Sequence, residues 1–322
     1  MTAAEQPELE RPTPPAAEPP PTDEQAAAEA ALARLEDRIG AFTSYTLAAD
    51  FLELREIYAG TLERIEPADW SRRSERRPNA WTLQQTLAHV AAVAETYNAA
   101  IMAGLEGRPV KIPGLETRHD LRSANQQALE ARSALSPEEL SEAFLGALEA
   151  AARLVAPLGA EHLGRIVPVP HFDGAPTVAE LFGCSLAHAG IIHGAQLVAS
   201  RARPIWIFFQ PGLMRRQLTR FFHNLALSYW PERGGDLHAT IAFNVAGQGG
   251  GSWYVRVRPE GGQGRIGVAR TRDVTFDFAS ADLLCRIVTF QTPPWRALLT
   301  RRLRVHGNLR LARRLPQLFT PT

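Results

Sequence analysis

Three histidines stand out among the residues whose side chains could carry out chemistry. His89 lies within one helical pattern, WTLQQTLAHVAAVAE, and His188 and His193 lie within a later one, LAHAGIIHGAQL. Neutral imidazole is the commonest metal ligand, and facing helices of a bundle can direct three such rings to one point. A metal ion bound by three such nitrogens, with one coordination position left open for a reactant, would form a catalytic centre. Histidines set among Ala and Leu are also typical of core residues bonded to a carbonyl.

The spacing of the two later histidines conflicts with a shared helix face. Five residues of a regular α-helix place His193 about 140° around the axis from His188. The two would share a face only if a π-bulge, for which Gly190 is the candidate position, widened the turn between them. His171, in VPHFDG, could line the mouth of a bundle pocket or be exposed to solvent.

The elements that would position these histidines are helices. Apolar residues recur every three or four positions between residues 47 and 58. The capping box Thr82-x-x-Gln85 opens the helix of the first histidine, and a second box opens the helix of the other two, predicted to run to about Ala199. Four or more amphipathic helices with modest connections predict an all-α antiparallel four-helix bundle over residues 26–203.

Residues 45–200 resemble the DinB-like family of four-helix bundles, relatives of mycothiol-dependent maleylpyruvate isomerase. The resemblance is carried by Trp81 ahead of Leu87-Ala88-His89 and by the closing run His193-Gly194-Ala195-Gln196-Leu197. It implies that His89 and His193 take two of the family's three metal-ligand places. The third place falls on Ala189, which cannot ligate, and His188 is its neighbour. The implied ligand set is His89, His188 and His193, and the implied cofactor is a divalent metal, zinc or nickel.

After Arg203-Pro204 the helical pattern gives way to strand-like alternation. Apolar residues alternate along four segments between residues 241 and 278, with Gly-rich turns at 247–251 and 261–264, which predicts an antiparallel meander. Helices are predicted at Leu213–Leu227, Ala281–Phe290 and Leu309–Leu318, and a short strand at Leu303–His306. Helices grouped around one sheet predict an α+β domain over residues 204–322.

Residues 213–320 are similar to the sterol carrier protein type two family of lipid-binding domains. The strand, Gly-Asn turn and closing helix from residue 303 onward are the most specific match, whereas the link 291–302 is longer than is usual in that family. The resemblance implies a five-stranded, mostly antiparallel sheet covered by helices, with an apolar tunnel for a fatty acyl, sterol-like or isoprenoid ligand. The predicted lining residues are Phe221, Trp230, Trp253, Phe276, Phe278, Phe290 and Trp295, with Arg302 and Arg304 holding the polar end. The alternative interpretation is that these aromatic side chains only fill the domain core and line no tunnel.

The formal net charge of +1 hides a charge difference between the two halves of the chain. Residues 1–200 carry 16 basic and 28 acidic side chains, and residues 201–322 carry 19 and 6. The basic excess would suit an anionic ligand, peripheral contact with an anionic membrane surface, or docking on the acidic half that salt would weaken. The sequence has no recognised nucleic-acid motif, which argues against a nucleic-acid partner. Whether the chain forms a homo-oligomer is left open.

Composition excludes several classes of protein. No apolar stretch approaches the roughly 20 residues of a membrane helix. Residues 1–25, rich in Pro, Ala and Glu, predict a disordered tail without a secretory signal. Two cysteines, Cys184 and Cys285, provide neither a disulfide framework nor a Cys-type zinc site, and these features together favour the cytoplasm.

The function that the sequence favours is binding of an apolar, anionic small molecule or lipid in the C-terminal domain. The alternative is a metal- and/or thiol-dependent transferase, isomerase or hydrolase with its site in the bundle. A structural partner protein in which neither site is occupied is the third hypothesis.

Overall fold

The computed structural model describes residues 40–74, 80–172, 174–198 and 203–319. The predicted disordered tail, residues 1–25, lies outside the described residues, as do residues 199–202 beside the predicted domain boundary. That boundary therefore stays a prediction.

The N-terminal part of the chain is helical, and local sequence determines where its main helices begin. Helices α2, α4 and α6 each start at a capping box, in which a Ser or Thr hydroxyl and a Glu or Gln side chain satisfy each other's free backbone N–H. The helices are α1 (Ser44–Leu62), α2 (Leu83–Leu105), α3 (Leu121–Glu130), α4 (Pro137–Val155), α5 (Ala160–Leu163) and α6 (Val178–Ala187), with 3₁₀ turns at Pro67–Asp69 and Arg118–Asp120.

Helices α1, α2, α4 and α6 pack around a common apolar core. The stripe predicted along α1 is its buried face, where Phe51 and Tyr58 are fully enclosed. The ring of Tyr58 contacts Phe144 on α4 edge-on, with 4.9 Å between the ring centroids. Phe51 contacts Phe182 on α6 in the same way at 6.0 Å. These aromatic contacts join α1 to α6 and to α4 at two levels of the core, since Phe51 and Tyr58 are two helical turns apart.

The last helix of this domain differs from the prediction of a regular helix to about Ala199. Helix α6 ends at Ala187 and continues as a π-helix, His188–Ile192. Beyond it, the backbone N–H of Ile205 donates to the carbonyl of Gly194 at 2.8 Å. A Cβ at residue 194 would lie only 2.3 Å from the carbonyl oxygen of Gly190. The chain that leads into the second domain therefore packs where a regular helix would have continued.

The C-terminal part combines helices with one sheet. The strands are β1 (Ala239–Val245), β2 (Gly251–Arg258), β3 (Gly261–Ile266), β4 (Val274–Phe278) and β5 (Leu303–Gly307), in the order β3-β2-β1-β4-β5. The helices are α7 (Pro211–Leu227), α8 (Pro231–Gly234), α9 (Ala281–Val288), α10 (Pro294–Leu299) and α11 (Leu309–Phe319), and a 3₁₀ turn, Ile205–Phe208, precedes them. No described helix is long and apolar enough to cross a membrane.

Strands β1, β2 and β3 form the predicted antiparallel meander, but the fourth segment, β4, does not continue it. The sheet is mixed, so the prediction of a mostly antiparallel sheet is wrong. Strands β1 and β4 run parallel, with Ile241 opposite Val274. The physical reason is a long-range pairing at the start of both strands. The N–H of Asp273 donates to the carbonyl of Thr240 at 2.9 Å, and its carboxylate accepts from the N–H of Thr240 at 2.7 Å. These bonds bring the chain back from the end of β3 to the beginning of β1.

Helix α7 covers one face of the sheet at close range. Phe222 on α7 lies between Trp253 and Phe243, with centroid distances of 5.2 Å and 4.7 Å. The indole N–H of Trp253 donates to the Thr219 hydroxyl at 3.0 Å. A Cβ at Gly262 would lie 2.3 Å from the carbonyl oxygen of Ala226, so glycine is needed where helix and strand approach. Aromatic side chains thus fill this part of the space between helix and sheet.

The two parts of the chain share a continuous core, and α6 packs on α7. At this contact Asp50 on α1 is fully buried. Its carboxylate accepts from Arg216 at 2.7 Å and lies 2.6 Å from a guanidinium nitrogen of Arg220, which is also fully buried. The acidic and basic halves therefore meet through enclosed ion pairs, which salt screens much less than exposed ones.

Candidate metal centre

The three predicted histidines converge in the interior of the helical domain. The Nε2 atoms of His89 and His188 lie 3.2 Å apart. The ring of His193 lies 5.0 Å from that of His89 and 4.4 Å from that of His188, measured between centroids. Each residue offers one ring nitrogen, and these nitrogens all lie within 4.8 Å of one another. Helix α2 supplies the first ring, and the segment that follows α6 supplies the other two.

The π-helix His188–Ile192 brings the two later histidines to one side. The N–H of His193 donates to the carbonyl of His188 at 3.0 Å, five residues back instead of four. This wider turn rotates His193 toward the face of His188, which a regular α-helix would not do. The sequence predicts that His188 and His193 share a face only if a π-bulge lies near Gly190. The π-helix lies at that position.

The wider turn leaves one carbonyl to be satisfied from elsewhere. In a regular helix the N–H of His193 would bond to the carbonyl of Ala189, and here it does not. The hydroxyl of Tyr58 on α1 donates to that carbonyl at 2.6 Å, across a buried contact. Burial also raises the pKa of Tyr58, so its hydroxyl keeps the proton that it donates. A tertiary hydrogen bond thus replaces the helical one.

The opposite side of the π-helix faces the C-terminal domain. A Cβ at residue 190 would lie 3.0 Å from the amide nitrogen of Gln217 on α7. Gln217 is fully buried, so its side chain has little room to move away. Glycine at this position allows the two helices to approach.

The environment of His89 and His188 favours the neutral form that can bind a metal. Burial, followed by the charge of His193, lowers the pKa of His89 well below its usual value. Burial is also the largest cause for His188, whose pKa is lowered further by the neighbouring histidines. Nδ1 of His193 is hydrogen-bonded to the side-chain oxygen of Gln196, and this bond orients the ring.

The residues present fit a divalent metal. Two nitrogens bound at about 2.05 Å to a tetrahedral ion would lie about 3.3 Å apart, close to the 3.2 Å between His89 and His188. Three neutral imidazoles are the donor set typical of zinc or nickel, and three protein ligands leave a position open for a reactant. Nδ1 of His89 is buried without a hydrogen-bond partner among the described residues, and the ring packs against Trp81.

A second polar pair lies in the same interior. The hydroxyl of Tyr97 on α2 lies 3.4 Å from Nε2 of His171. Burial, with a contribution from the charge of Arg118, lowers the pKa of His171 to about 4, and burial raises the pKa of Tyr97. A charge on His171 also lowers the pKa of His188, so the two are electrostatically coupled. In the sequence Tyr97 is visible only as a member of an apolar stripe, which hides its hydroxyl.

The cysteines give no sign of reactivity. Cys184 on α6 and Cys285 on α9 are both buried. Burial is the largest cause that raises the pKa of each thiol, so both stay protonated near neutral pH. A thiol that takes part in chemistry here would have to come from a bound molecule.

The residues predicted to line a C-terminal tunnel lie in different surroundings. Phe221, Trp230, Trp253 and Phe278 are buried, Phe276 is partly buried, and Phe290, Trp295, Arg302 and Arg304 are exposed. The structure brings Phe276 and Phe278 together, with 6.5 Å between their centroids. Trp230 instead lies under the guanidinium groups of Arg118 and Arg233. A pocket of about 350 Å³ opens near Tyr229 and Arg256, and none of the nine lines it. The tunnel stays a prediction.

Two family models match the chain, in separate regions. The model of the DinB superfamily matches residues 50–197. The model of the SCP-2 sterol transfer family matches residues 231–320. No protein with a curated description matches the chain significantly.

Comparison with solved structures finds one enzyme that shares the fold, and a further match with a low TM-score. The chain is similar to the structure of mycothiol-dependent maleylpyruvate isomerase at 12% identity and a TM-score of 0.50, over 76% of this chain and 88% of that one. A mutant of that enzyme matches at 11% identity with the same TM-score and coverage. Sterol Carrier Protein 2 from Yarrowia lipolytica matches at 19% identity over 31% of this chain and 80% of that one, with a TM-score of 0.23. The chain therefore combines a match to the DinB superfamily over residues 50–197 with a match to the SCP-2 sterol transfer family over residues 231–320.

Proposed function

We propose that the N-terminal domain is a metal-dependent catalytic domain, with His89, His188 and His193 as the ligands of a divalent metal. The π-helix is the observation that carries this proposal. It places two histidines on one side of a segment whose regular form would separate them, and a buried tyrosine completes its hydrogen bonding. π-Helices occur mostly as single turns within α-helices, and they are frequent at functional sites.

The chain's own residues would hold and orient the reactants. A divalent metal bound there would supply a Lewis acid for a thiol, a water or a carbonyl oxygen. Gln196 would fix the orientation of the His193 ring through Nδ1. The apolar walls around His89 would exclude bulk water, and Tyr97 with His171 would provide a buried pair for holding a proton at the phenol oxygen or the imidazole nitrogen.

We propose transfer or isomerisation with a small-molecule thiol as the reaction class to assay first, and hydrolysis as the alternative. The buried, protonated cysteines support an external thiol rather than one from the chain. The fold is shared with an enzyme whose name specifies a mycothiol-dependent isomerisation, and the present chain has a cluster of three possible metal donors in its helical domain.

Metal titration tests this function. The full chain, treated with a chelator that is then removed by dialysis, is expected to bind one zinc or nickel ion per chain in isothermal titration calorimetry. His188→Ala should abolish high-affinity binding, whereas His119→Ala, an exposed histidine of the same domain, should leave it unchanged. A wild-type chain that binds no metal, or equal losses in both variants, would contradict the proposal.

We propose a second function for the C-terminal domain, the binding of an apolar small molecule such as a fatty acyl, sterol-like or isoprenoid compound. The match to the SCP-2 sterol transfer family supports it. The aromatic side chains between α7 and the sheet would have to move to admit a ligand, as Phe222 packs between Trp253 and Phe243. Native mass spectrometry of the purified chain should show a co-purified lipid, and failure to bind any fluorescent fatty acid or sterol would contradict this proposal.

A further inference from the structure

The link between α9 and β5 carries four large apolar side chains on the protein surface. Phe290 is 64% exposed, Trp295 56%, Leu298 44% and Leu299 75%. We call these four residues the apolar rim. Single exposed apolar residues are ordinary on protein surfaces, but four within ten residues form a local patch.

Helix geometry places three of these side chains together. Trp295, Leu298 and Leu299 stand at positions i, i+3 and i+4 of α10, so they lie on one face of that helix. Ala297 is buried and faces the domain core instead. Helix α10 therefore points its small side chain inward and its large apolar side chains outward, the reverse of a helix that stabilises a fold.

The backbone holds the link in this arrangement. Phe290 has φ 58° and Arg301 φ 55°, a left-handed conformation that a bulky residue rarely adopts. Backbone bonds fix both ends: the N–H of Thr292 donates to the carbonyl of Arg286, and the N–H of Arg302 to that of Ala297, each at 2.9 Å. Such strain persists where the surrounding structure imposes it, often at functional sites. Here it keeps an aromatic ring in solvent, which does not contribute to folding.

The charge around the apolar rim is positive. Arg296, Arg301 and Arg302 are exposed beside it. No acidic residue follows Asp282 in the sequence, and the carboxylate of Asp282 is bonded to Arg286 and to the indole of Trp206. The surface thus combines exposed aromatic and leucine side chains with guanidinium groups and has no acidic side chain within the link.

We propose that the apolar rim docks the protein on an anionic lipid bilayer. Tryptophan, phenylalanine and leucine would enter the boundary between headgroups and acyl chains, and the arginines would contact lipid phosphates. A second copy of the chain fits this surface less well, because pairing two rims would bring like-charged arginines together. The inference goes beyond the metal centre, and it does not require the C-terminal domain to carry a lipid.

Vesicle flotation of the full chain tests the proposal, with vesicles of phosphatidylcholine alone or mixed with phosphatidylglycerol. Binding is expected only to the anionic vesicles and should weaken with salt. Leu299→Ser should lower the partition coefficient about tenfold, since most of a leucine side chain would leave the bilayer. Arg296→Gln should lower it about fivefold. Val268→Ser, an exposed position on the link between β3 and β4, is the matched control and should bind like the wild type.

Tryptophan emission gives an independent readout. Trp295 is well exposed, whereas Trp206, Trp230 and Trp253 of the same domain are buried. Brominated phosphatidylglycerol should therefore quench part of the emission, and Trp295→Phe should remove that part. Absence of flotation, unchanged binding of Leu299→Ser, or an equal loss in Val268→Ser would overturn the proposal. So would sedimentation velocity that shows a dimer dissociated by Leu299→Ser without vesicle binding, because the rim would then be an interface between copies.

Discussion

Asp50 lies fully enclosed between the two domains, and its replacement tests whether their contact depends on buried charge. Its carboxylate accepts from Arg216 and pairs with Arg220. Arg220 has no exposure to solvent, and burial lowers its pKa to about 10 in spite of the neighbouring carboxylate. In Asp50→Ala this guanidinium would keep its bond to the carbonyl of Ala41 but lose its counter-charge.

The size of the effect follows from that unpaired charge. Removing one partner of a buried pair costs about 3–5 kcal/mol, compared with a total stability of about 5–15 kcal/mol for a typical domain. Arg216 contributes less, because its side chain is partly exposed and can turn toward water. We therefore expect a reduction of about 3 kcal/mol or more in the free energy of unfolding of Asp50→Ala.

Urea unfolding followed by circular dichroism measures this loss. The midpoint should fall, and the transition should stay single because the domains share one core. If the variant fails to fold, the double variant Asp50→Leu with Arg220→Met supplies the test. Replacing both charges by apolar groups of similar size should recover most of the stability.

An exposed ion pair provides the control. Glu149 and Arg153 pair on the surface of α4, and Arg153→Ala should cost less than about 1 kcal/mol. Added salt should weaken that pair but have little effect on the loss in Asp50→Ala. A cost below about 1 kcal/mol for Asp50→Ala, or a double variant no more stable than the single one, would refute the reasoning.

Three further substitutions examine the interior around the metal centre. Tyr58→Phe leaves the carbonyl of Ala189 without its donor, so stability should fall by about 1–3 kcal/mol and zinc should bind more weakly in calorimetry. Gly194→Ala should lower the thermal midpoint, because the new Cβ would lie 2.3 Å from a backbone oxygen, whereas Gly146→Ala on α4 meets open space and should raise it. His171 has a pKa of about 4 in the folded chain and about 6.5 when unfolded, so its neutral form is favoured by folding. The stability that it contributes should be complete above about pH 6.5 and lost as the pH falls toward 4, and urea unfolding of His171→Phe should depend less on pH than that of the wild type.

Each of these predictions has an outcome that contradicts it. Tyr45 is exposed on α1, and Tyr45→Phe should behave like the wild type; equal effects in the two tyrosine variants would remove the special role of Tyr58. A Gly194→Ala chain as stable as the wild type would show that the approach to the π-helix is not tight. An unchanged pH profile in His171→Phe would assign the acid sensitivity to other groups.

The sequence predicts the helices of the N-terminal domain well because their signals are local. The capping boxes at Thr82 and Thr177 place the first turns of α2 and α6 where the structure has them. The sequence does not predict the π-helix itself; it predicts only that His188 and His193 need a π-bulge between them in order to share a face. Its hydrogen bonding depends on Tyr58, which lies 131 residues away from Ala189 in the chain. No local pattern contains that contact.

The sheet shows the same division between local and long-range information. Alternation identifies the strands, since it reports which side chains face a core. It does not report which strand edges pair, and the parallel pairing of β1 with β4 depends on bonds between Thr240 and Asp273. Aromatic content likewise does not distinguish a filled core from a tunnel, because both place rings between a helix and a sheet.

The position of the π-helix bears on why the two domains occur in one chain. Tyr58 holds this segment from the N-terminal domain, and Gln217 packs against Gly190 from the other side. Just beyond the π-helix, Ile205 bonds to Gly194 at 2.8 Å. The turn that sets the angle between the second and third histidines is therefore bounded by residues from both parts of the chain. We therefore expect a change in how the domains dock, such as the loss of the contact through Asp50, to alter that angle and with it the affinity of the three histidines for a metal.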